Sequence, residues 1–397
     1  MSKSRYNKLS FISRLLLILN YIVAACLLIS YAAHYINPEY FWQLAFFGMA
    51  YPILLAINIL FVFFWIIKWK KYFLLSLIVV AAGYTHLFNF IQIRNINKTD
   101  SIESKLVDPE KSGFKLLSYN VRLFDLYNWR NNRNIVTRNK IFDFIRDESA
   151  DVICLQEFFS DNTGYFTTLD TIIKFQDAKN YHVEYTQILS GKHHWGIATF
   201  SKYPVVNKGK ILFESKSNNI CIFTDIKVKN DTIRIYNAHL ASMHFQYKDY
   251  QFLQNLGNID PGYTPYKKDL PKKKAGVYEG TKTILKRVKA AFIKRAKQAE
   301  HISEHISRSP YPVIICGDFN DTPTSYAYHK IAGGLTDAFT QSGSGLGRTY
   351  IGAFPSFRID YILHSKKLNS FNFQTITSND LSDHYPLSCY IEVNTDD

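Results

Sequence analysis

The segment Pro-Val-Ile-Ile-Cys-Gly-Asp-Phe-Asn-Asp-Thr-Pro, residues 312–323, decides the fold of the soluble part of the chain. Its apolar start, Val313 to Cys316, is rich in β-branched residues and predicts a short buried strand. Gly317 ends that strand, and Asp318 and Asn320 follow where a strand gives way to a loop. Side chains two residues apart leave an extended strand on the same side, so these two can converge on one ligand. The alternative is an Asx-turn, in which both residues only satisfy backbone groups.

Composition divides the chain of 397 residues into an apolar first quarter and a larger part typical of a soluble domain. The net charge of +14 indicates anionic partners such as phosphates, nucleic acid or acidic lipid headgroups. The 5 cysteines have no paired spacing, which argues against a zinc site and against a disulfide framework. Three of them, Cys154, Cys316 and Cys389, lie in apolar strand-like runs and are predicted to be buried.

Three apolar runs occupy residues 1–93: Leu15 to Tyr35, Phe41 to Ile67, and Tyr72 to Ile93. Each is long enough to cross a bilayer, which takes about 20 helical residues. They predict three transmembrane helices followed by a polar linker over residues 94–113. A cleaved signal peptide is the alternative for the first run, but its apolar core is too long and two further runs follow.

The orientation of this region is predicted from its basic residues. Four of them precede the first run and three lie between the second and third: Lys3, Arg5, Lys8, Arg14, Lys68, Lys70 and Lys71. Residues 36–40, between the first two runs, contain neither Lys nor Arg. The positive-inside rule places the N-terminus in the cytoplasm. The sequence therefore predicts a multi-pass integral protein of the cytoplasmic or inner membrane, with its soluble domain extracytoplasmic.

Residues 114–397 contain many strand-like runs and few helical ones, a pattern that two packed sheets flanked by helices would bury. Polar side chains follow six of these runs: Asn120, Glu157, Asn237 with His239, Asp318 with Asn320, Asp360, and Asp383 with His384. Together they supply carboxylates, amides and imidazoles. Hard oxygen ligands suit Mg²⁺, with Mn²⁺ as the alternative, rather than Zn²⁺.

A strongly basic insertion at about residues 244–308 interrupts the strand pattern. Its second half has helical periodicity, with apolar residues on one face and Lys and Arg on the rest of the surface. A solvated helix face is the simplest interpretation. The functional alternative is a basic rim that attracts an anionic substrate or anionic lipid.

Six short motifs occur in a fixed order: Ser-Tyr-Asn-Val-Arg at 118–122, Leu-Gln-Glu at 155–157, Asn-Ala-His-Leu at 237–240, Gly-Asp-Phe-Asn-Asp-Thr-Pro at 317–323, Arg-Ile-Asp-Tyr-Ile at 358–362 and Ser-Asp-His-Tyr-Pro at 382–386. In this order they resemble the endonuclease/exonuclease/phosphatase superfamily, which includes deoxyribonuclease I, neutral sphingomyelinases and inositol polyphosphate 5-phosphatases. The resemblance implies an α+β fold, a four-layer α/β/β/α sandwich of the deoxyribonuclease I kind, with the site at one end.

The resemblance also implies a division of labour among the site residues. Glu157 would be the principal metal carboxylate, assisted by Asn120 and Asp383. Asn237 and Arg358, within two of the matching motifs, are predicted to bind substrate.

The remaining site residues are implied to act on the phosphoester itself. Asp318 would orient or deprotonate the attacking water, while Asn320 and His239 would hold the phosphate. His384 would touch the scissile phosphate, and Asp360 would fix its tautomer and raise its basicity.

The sequence thus predicts a membrane-anchored, Mg²⁺-dependent phosphoester hydrolase of the phosphodiesterase or endonuclease type. Its predicted partners are a phosphoester substrate, either nucleic acid or a lipid headgroup, and the bilayer, with no obligate protein partner. A lipid-headgroup phosphodiesterase or phosphatase is the alternative. A non-catalytic membrane-docking module is a third interpretation, and the complete set of site residues argues against it.

Overall fold

The computed structural model describes residues 9–93, 113–176, 180–213, 218–243, 277–352 and 357–393. Its strands are β1 (Ile91–Gln92), β2 (Gly113–Asn120), β3 (Val152–Asp161), β4 (Asn180–Leu189), β5 (His193–Ser201), β6 (Val205–Ile211), β7 (Ile220–Val228), β8 (Asp231–His239), β9 (Val313–Asp318), β10 (Thr336–Asp337), β11 (Gly345–Leu346), β12 (Asp360–His364), β13 (Leu368–Thr375) and β14 (Leu387–Val393). Its helices are α1 (Phe11–Tyr31), α2 (Pro38–Phe41), α3 (Gln43–Met49), α4 (Tyr51–Ile67), α5 (Phe73–Ala82), α6 (Tyr84–Phe88), α7 (Leu126–Asn132), α8 (Val136–Glu148), α9 (Thr168–Gln176), α10 (Val277–Ser307), α11 (Tyr326–Ala332) and α12 (Ala338–Ser342), with a 3-10 turn at Arg122–Asp125.

Two 6-stranded sheets form the soluble domain, in the orders β10-β12-β9-β8-β7-β6 and β13-β14-β2-β3-β5-β4. Alternation along β9 shows how they pack. Ile314 and Cys316 point into the core between the sheets. Val313 and Ile315 point outward, into the cluster that also contains residues of α10 and α11. Helices α8 and α9 cover the other sheet in the same way. The predicted four-layer α/β/β/α sandwich is confirmed, and the three cysteines predicted to be buried lie in its central core.

One parallel strand pair in each sheet brings the polar strand ends together. Strands β2 and β3 are parallel, with Asn120 opposite Gln156. Strands β8 and β9 are also parallel, with His239 opposite Asp318. Asp360 begins the antiparallel neighbour β12 and pairs with Asp318. The sheets pack face to face, so these ends meet at one edge of the sandwich.

Gly317 is required where β9 approaches β8. Its φ is +131°, and a Cβ at this position would lie 2.0 Å from the carbonyl oxygen of Ala238. Only glycine combines that backbone conformation with so close an approach.

The N-terminal helices correct the membrane prediction. Of the described residues, only α1, with 21 residues, forms an uninterrupted helix long and apolar enough to cross a bilayer, about 31 Å at 1.5 Å per residue. The second apolar run is divided into α3 and α4, which are bent by 59° at their junction. Pro52 starts α4 there, and Gly83 ends the 10-residue α5. The described residues therefore contain one helix that could span a membrane, or two spans if the bent pair α3 and α4 forms one, and not the three that the sequence predicted; the multi-pass assignment is not supported.

Helices α1, α4 and α5 form a bundle with an apolar exterior, and a small hydrogen-bonded polar network lies among the apolar residues of its interior. Large side chains such as Leu15, Ile18, Leu60 and Ile78 are exposed on its surface. Four polar or amphipathic residues are fully buried inside it: Asn20, Asn58, Trp65 and Ser76. They are hydrogen-bonded to one another, from Asn20 Nδ2 to Ser76 Oγ at 2.6 Å, from Ser76 Oγ to Asn58 Oδ1 at 2.9 Å and from Trp65 Nε1 to Asn20 Oδ1 at 2.9 Å. An apolar exterior combined with a hydrogen-bonded polar network between the helices is typical of helices packed in lipid.

The N-terminal helical region contacts the sandwich directly. Thr324 Oγ1 donates to the carbonyl oxygen of Gly48 at 2.7 Å. The Gly347 amide donates to the carbonyl oxygen of Phe90 at 2.8 Å, and β1 pairs with β11 next to it. We call this contact region the junction.

Helix α10 changes the interpretation of the basic insertion. Ala299 and Ile302 pack against sheet residues, so the helix is one of the outer layers of the sandwich. The predicted boundaries of about 244–308 therefore include a structural element of the domain. Residues 244–276, with Lys272, Lys273 and Lys274, lie outside the described residues.

Candidate active site

Asp318 is the centre of the polar cluster at the edge of the sandwich. Its Oδ1 accepts the Asn320 amide at 2.8 Å, so the Asx-turn considered as an alternative is formed. Its Oδ2 accepts Asn120 Nδ2 at 3.1 Å and lies 3.6 Å from His239 Nε2 and 3.7 Å from His384 Nε2. One carboxylate therefore completes the turn with one oxygen and faces two imidazoles with the other.

The separations between Asp318 and the two imidazoles are too long for direct hydrogen bonds. At these distances the carboxylate and the two imidazoles interact through their charges. Burial raises the pKa of Asp318 to about 6; the charge of Asp360 adds to this, while His384 and His239 oppose it. A carboxylate with such a pKa can accept a proton near neutral pH.

His384 and Asp360 form a buried pair behind Asp318. His384 Nδ1 lies 2.9 Å from Asp360 Oδ2 and 3.1 Å from Oδ1. The Asp360 amide in turn donates to Thr349 Oγ1 at 3.1 Å. Burial alone lowers the pKa of His384, but the charges of Asp360 and Asp318 outweigh it and raise that pKa well above its usual value. These charges favour the protonated ring, and its Nε2 is directed at Asp318.

Asn320 and His239 lie on either side of Asp318. Asn320 has a positive φ of 54°, and its Nδ2 donates to Leu240 O at 3.0 Å and to Asp318 Oδ2 at 3.1 Å. Both amide hydrogens are thus used within the protein. In this structure Asn320 orients Asp318 and the segment after His239, rather than presenting a free donor to a phosphate.

Glu157 stands at the open side of the cluster, on a β-bulge of β3. Its side chain is 35% exposed, and its Oε1 lies 3.9 Å from His239 Nε2. Partial burial, followed by the charge of Asp383, raises the pKa of Glu157, while His384, the Asn120 side chain and Arg122 oppose this. The carboxylates of Glu157 and Asp383 and the side-chain amide of Asn120 therefore meet at one accessible place.

The donor set at this place fits a hard divalent cation, because Mg²⁺ is bound by one or two carboxylates with water and substrate oxygens. The charge of Asp383 raises the pKa of Glu157, which shows that the two carboxylates repel each other. A bound cation would relieve this repulsion, and this supports the fit. A second acidic group lies deeper: Asp318, Asp360 and His384 place possible ligand atoms within 4.8 Å of one another. In that group His384 Nδ1 is already bound to Asp360.

Comparison with known proteins agrees with this geometry. Residues 117–384 match the endonuclease/exonuclease/phosphatase family. The chain belongs to this family. Residues 13–90 match a second family, described as a domain of unknown function (DUF8431). No curated protein matches the sequence.

Several solved structures resemble the chain. One is a humanised D. rerio TDP2, with 16% identity over 70% of this chain and 99% of that chain and a TM-score of 0.48. Another is the human Nocturnin catalytic domain with bound sulfate, with 18% identity, coverage of 71% and 95%, and a TM-score of 0.47. A third is a family protein from Leptotrichia buccalis, with 18% identity, coverage of 70% and 99%, and a TM-score of 0.44.

Two residues that were predicted to bind substrate, Asn237 and Arg358, are buried inside the domain rather than exposed at the polar cluster. Asn237 is fully buried between the sheets, where it accepts Gln156 Nε2 at 2.7 Å and donates to Ala198 O at 2.9 Å. Arg358 is 2% exposed; its guanidinium is bound to both carboxylate oxygens of Asp337 and to Asn89 O at the junction. Burial leaves neither side chain a surface for substrate, so both act as structural supports.

Sequence reasoning missed two groups near the site. Arg122 Nε lies 3.9 Å from Asp383 Oδ2, and its position within the first motif was the available clue. Arg295 was grouped with the basic surface of the insertion, yet it is fully buried in α10. It donates to Asp321 Oδ2 at 2.8 Å and to Ala241 O at 2.9 Å. It therefore links the chain segments that follow β8 and β9.

Proposed function

We propose that this protein is a divalent-metal-dependent phosphodiesterase of the endonuclease/exonuclease/phosphatase family, anchored in a membrane. The observation that carries the proposal is the convergence on Asp318 Oδ2 of two imidazole nitrogens, at 3.6 and 3.7 Å. A carboxylate with a raised pKa between two such groups suits the removal of a proton from a water molecule next to a phosphorus atom.

Each residue has a role consistent with its contacts. Asp318 accepts the proton of the attacking water, and Asn120 and Asn320 keep its oxygens in place. His384, protonated through its contact with Asp360, stabilises charge that develops on the phosphoryl oxygens.

Glu157, Asn120 and Asp383 would hold the cation. When bound, it would neutralise charge on the phosphoryl oxygens. Replacing Glu157 by Gln should raise the Mg²⁺ concentration that gives half-maximal activity, and should weaken Mn²⁺ binding measured by electron paramagnetic resonance. Unchanged Mn²⁺ affinity in this variant would contradict the assignment.

Turnover tests the proton-transfer role. In the full-length chain, Asp318→Asn should lower kcat by at least about 10²-fold, because general base catalysis contributes 10²–10⁴. The matched control is Asp147→Asn, which changes an exposed aspartate of α8. Activity of the Asp318 variant within threefold of the control, toward a chromogenic phosphodiester with Mg²⁺, would refute the role.

Membrane anchoring is supported by the apolar exterior of the bundle. Helix α1 has an apolar exposed face that requires a nonpolar environment, and α1 follows a basic N-terminus. We place that N-terminus in the cytoplasm and the catalytic domain on the opposite side. A reporter fused after residue 97 should be active outside the cytoplasm. Release of the full chain from membranes by carbonate would exclude anchoring.

A lipid-headgroup diester is the second candidate substrate, and the junction favours it. The segment that carries Asp318 and Asn320 continues to Thr324, which is bonded to Gly48 of the bundle. This keeps the site close to the bilayer. Parallel assays on DNA, sphingomyelin and phosphoinositides in mixed micelles separate the two substrate classes.

A further inference from the structure

Helix α10 lies along the end of the bundle where α1 terminates. Phe292 packs edge-on against Phe46, with ring centroids 5.2 Å apart. Lys289 Nζ lies 5.2 Å from the centre of the Trp42 ring. Further along, Glu300 accepts Asn37 Nδ2 at 2.9 Å. The contacts place the middle of α10 against residues 37–46, the segment that follows α1.

This segment has the composition of a membrane interface. Tyr40 and Phe41 are exposed beside Trp42, and exposed aromatic side chains at the end of an apolar helix are typical of the headgroup level. A long amphipathic helix seated there lies at the same level.

The face of α10 that touches the bundle continues toward the start of the helix. Steps of three and four residues from Lys289 lead to Lys286, Leu285 and Lys282, because these spacings share one side of a helix. All four side chains are exposed, and Leu285 is an exposed large apolar residue at 42%. We call these four residues the basic face of α10.

The basic face has the chemistry of a helix that lies on anionic lipid. Residues 281–299 contain no Asp or Glu. Lysine stems cover apolar surface while their ammonium groups reach phosphates, and a leucine between them can enter the headgroup layer. Lys294, also exposed, lies about 120° away around the helix at 100° per residue.

We propose that the basic face of α10 lies on the anionic headgroups of the bilayer that α1 enters. This inference rests on the proposed membrane anchoring. Under this proposal one side of α10 packs on the sheet, and the other side holds the catalytic domain against the membrane surface. Each lysine near such a surface contributes roughly fivefold in affinity, so the three lysines suffice for stable contact.

The test uses the full chain in nanodiscs with a bimane label on Leu285→Cys, in a Cys26→Ser background because the other four cysteines are buried. Lipids with a headgroup-level nitroxide report contact by quenching. We expect at least threefold stronger quenching in discs containing phosphatidylglycerol than in phosphatidylcholine alone. In the Lys282→Gln/Lys286→Gln/Lys289→Gln variant this difference should disappear, whereas Lys294→Gln should preserve it.

Two outcomes would overturn the inference. Equal quenching in both discs would remove the role of anionic lipid. A label that lipid nitroxides do not quench, but that a single-stranded oligonucleotide shields from a water-soluble quencher, would assign the basic face to nucleic acid. Failure of anchoring is recognised separately, because the chain would then not co-elute with the discs at all.

Discussion

Arg295 offers the sharpest test of how the site is supported. Replacing it by Met keeps the unbranched stem of the side chain but removes the guanidinium that pairs with Asp321 at 2.8 Å and binds Ala241 O at 2.9 Å. Asp321 would then be a buried carboxylate without its partner. Breaking a buried pair on one side costs about 3–5 kcal/mol. For a domain of this size we expect the melting temperature to fall by roughly 10 °C.

The pH dependence of that loss identifies its cause. Burial raises the pKa of Asp321, and Arg295 opposes this. Without Arg295 the pKa should rise further, so the carboxyl becomes neutral on acidification and the unpaired charge disappears. A group with a raised folded pKa is less destabilising at low pH and more so at high pH. The deficit of Arg295→Met should therefore be larger at pH 8 than at pH 5.

Three further variants complete the experiment: Lys294→Met, Asp321→Asn, and Asp321→Asn combined with Arg295→Met. The neighbouring exposed Lys294→Met is the matched control and should change the unfolding free energy by less than about 0.5 kcal/mol. Asp321→Asn combined with Arg295→Met should be more stable than the sum of the single effects, because the double variant has no unpaired charge. An Arg295→Met protein within 1 kcal/mol of wild type in urea unfolding, at both pH values, would refute this account of Arg295.

Three further outcomes are expected. Because the pKa of Asp318 is about 6, kcat/KM should rise with pH through that value, and a profile flat between pH 5 and 7 would contradict its role as base. Asp360→Asn should lower the pKa of His384 in an NMR titration, since the Asp360 charge helps to raise it. The raised pKa stabilises the folded protein below about pH 6.5, and this stabilisation is lost at higher pH; it should be smaller in the variant. An unchanged titration of His384 would contradict the pairing. Gly317→Ala should destabilise the protein by several kcal/mol, because its Cβ would meet Ala238 O at 2.0 Å; wild-type stability would show that the backbone relaxes there.

The sequence was most informative where an apolar strand ends in a polar residue. In β9 the alternation of Val313 to Cys316 and the glycine after it determine both the strand and the direction in which Asp318 leaves it. Because neighbouring strands β2 and β3, and β8 and β9, run parallel, their polar ends lie at the same edge of the sandwich. This is why most of the cluster could be predicted.

Prediction failed where tertiary contacts decide the role of a residue. Arg295 looks like any other base on a charged helix, and its burial depends on a carboxylate 26 positions later. Arg358 lies in a motif, yet Asp337 holds it inside the domain. The apolar runs showed which segments are hydrophobic, but they did not show where the helices are interrupted. The interruptions lie next to Pro52 and at Gly83.

The junction has a consequence for residues 94–112, which connect the bundle to β2. Phe90 is already bonded to Gly347 just before this connection, and Gly113 begins a sheet strand immediately after it. Both ends of this connection are thus fixed by other contacts, so the position of the sandwich on the N-terminal helices does not depend on the length of residues 94–112. Insertion of an affinity tag or a protease site within residues 94–112 should therefore leave the sandwich in that position.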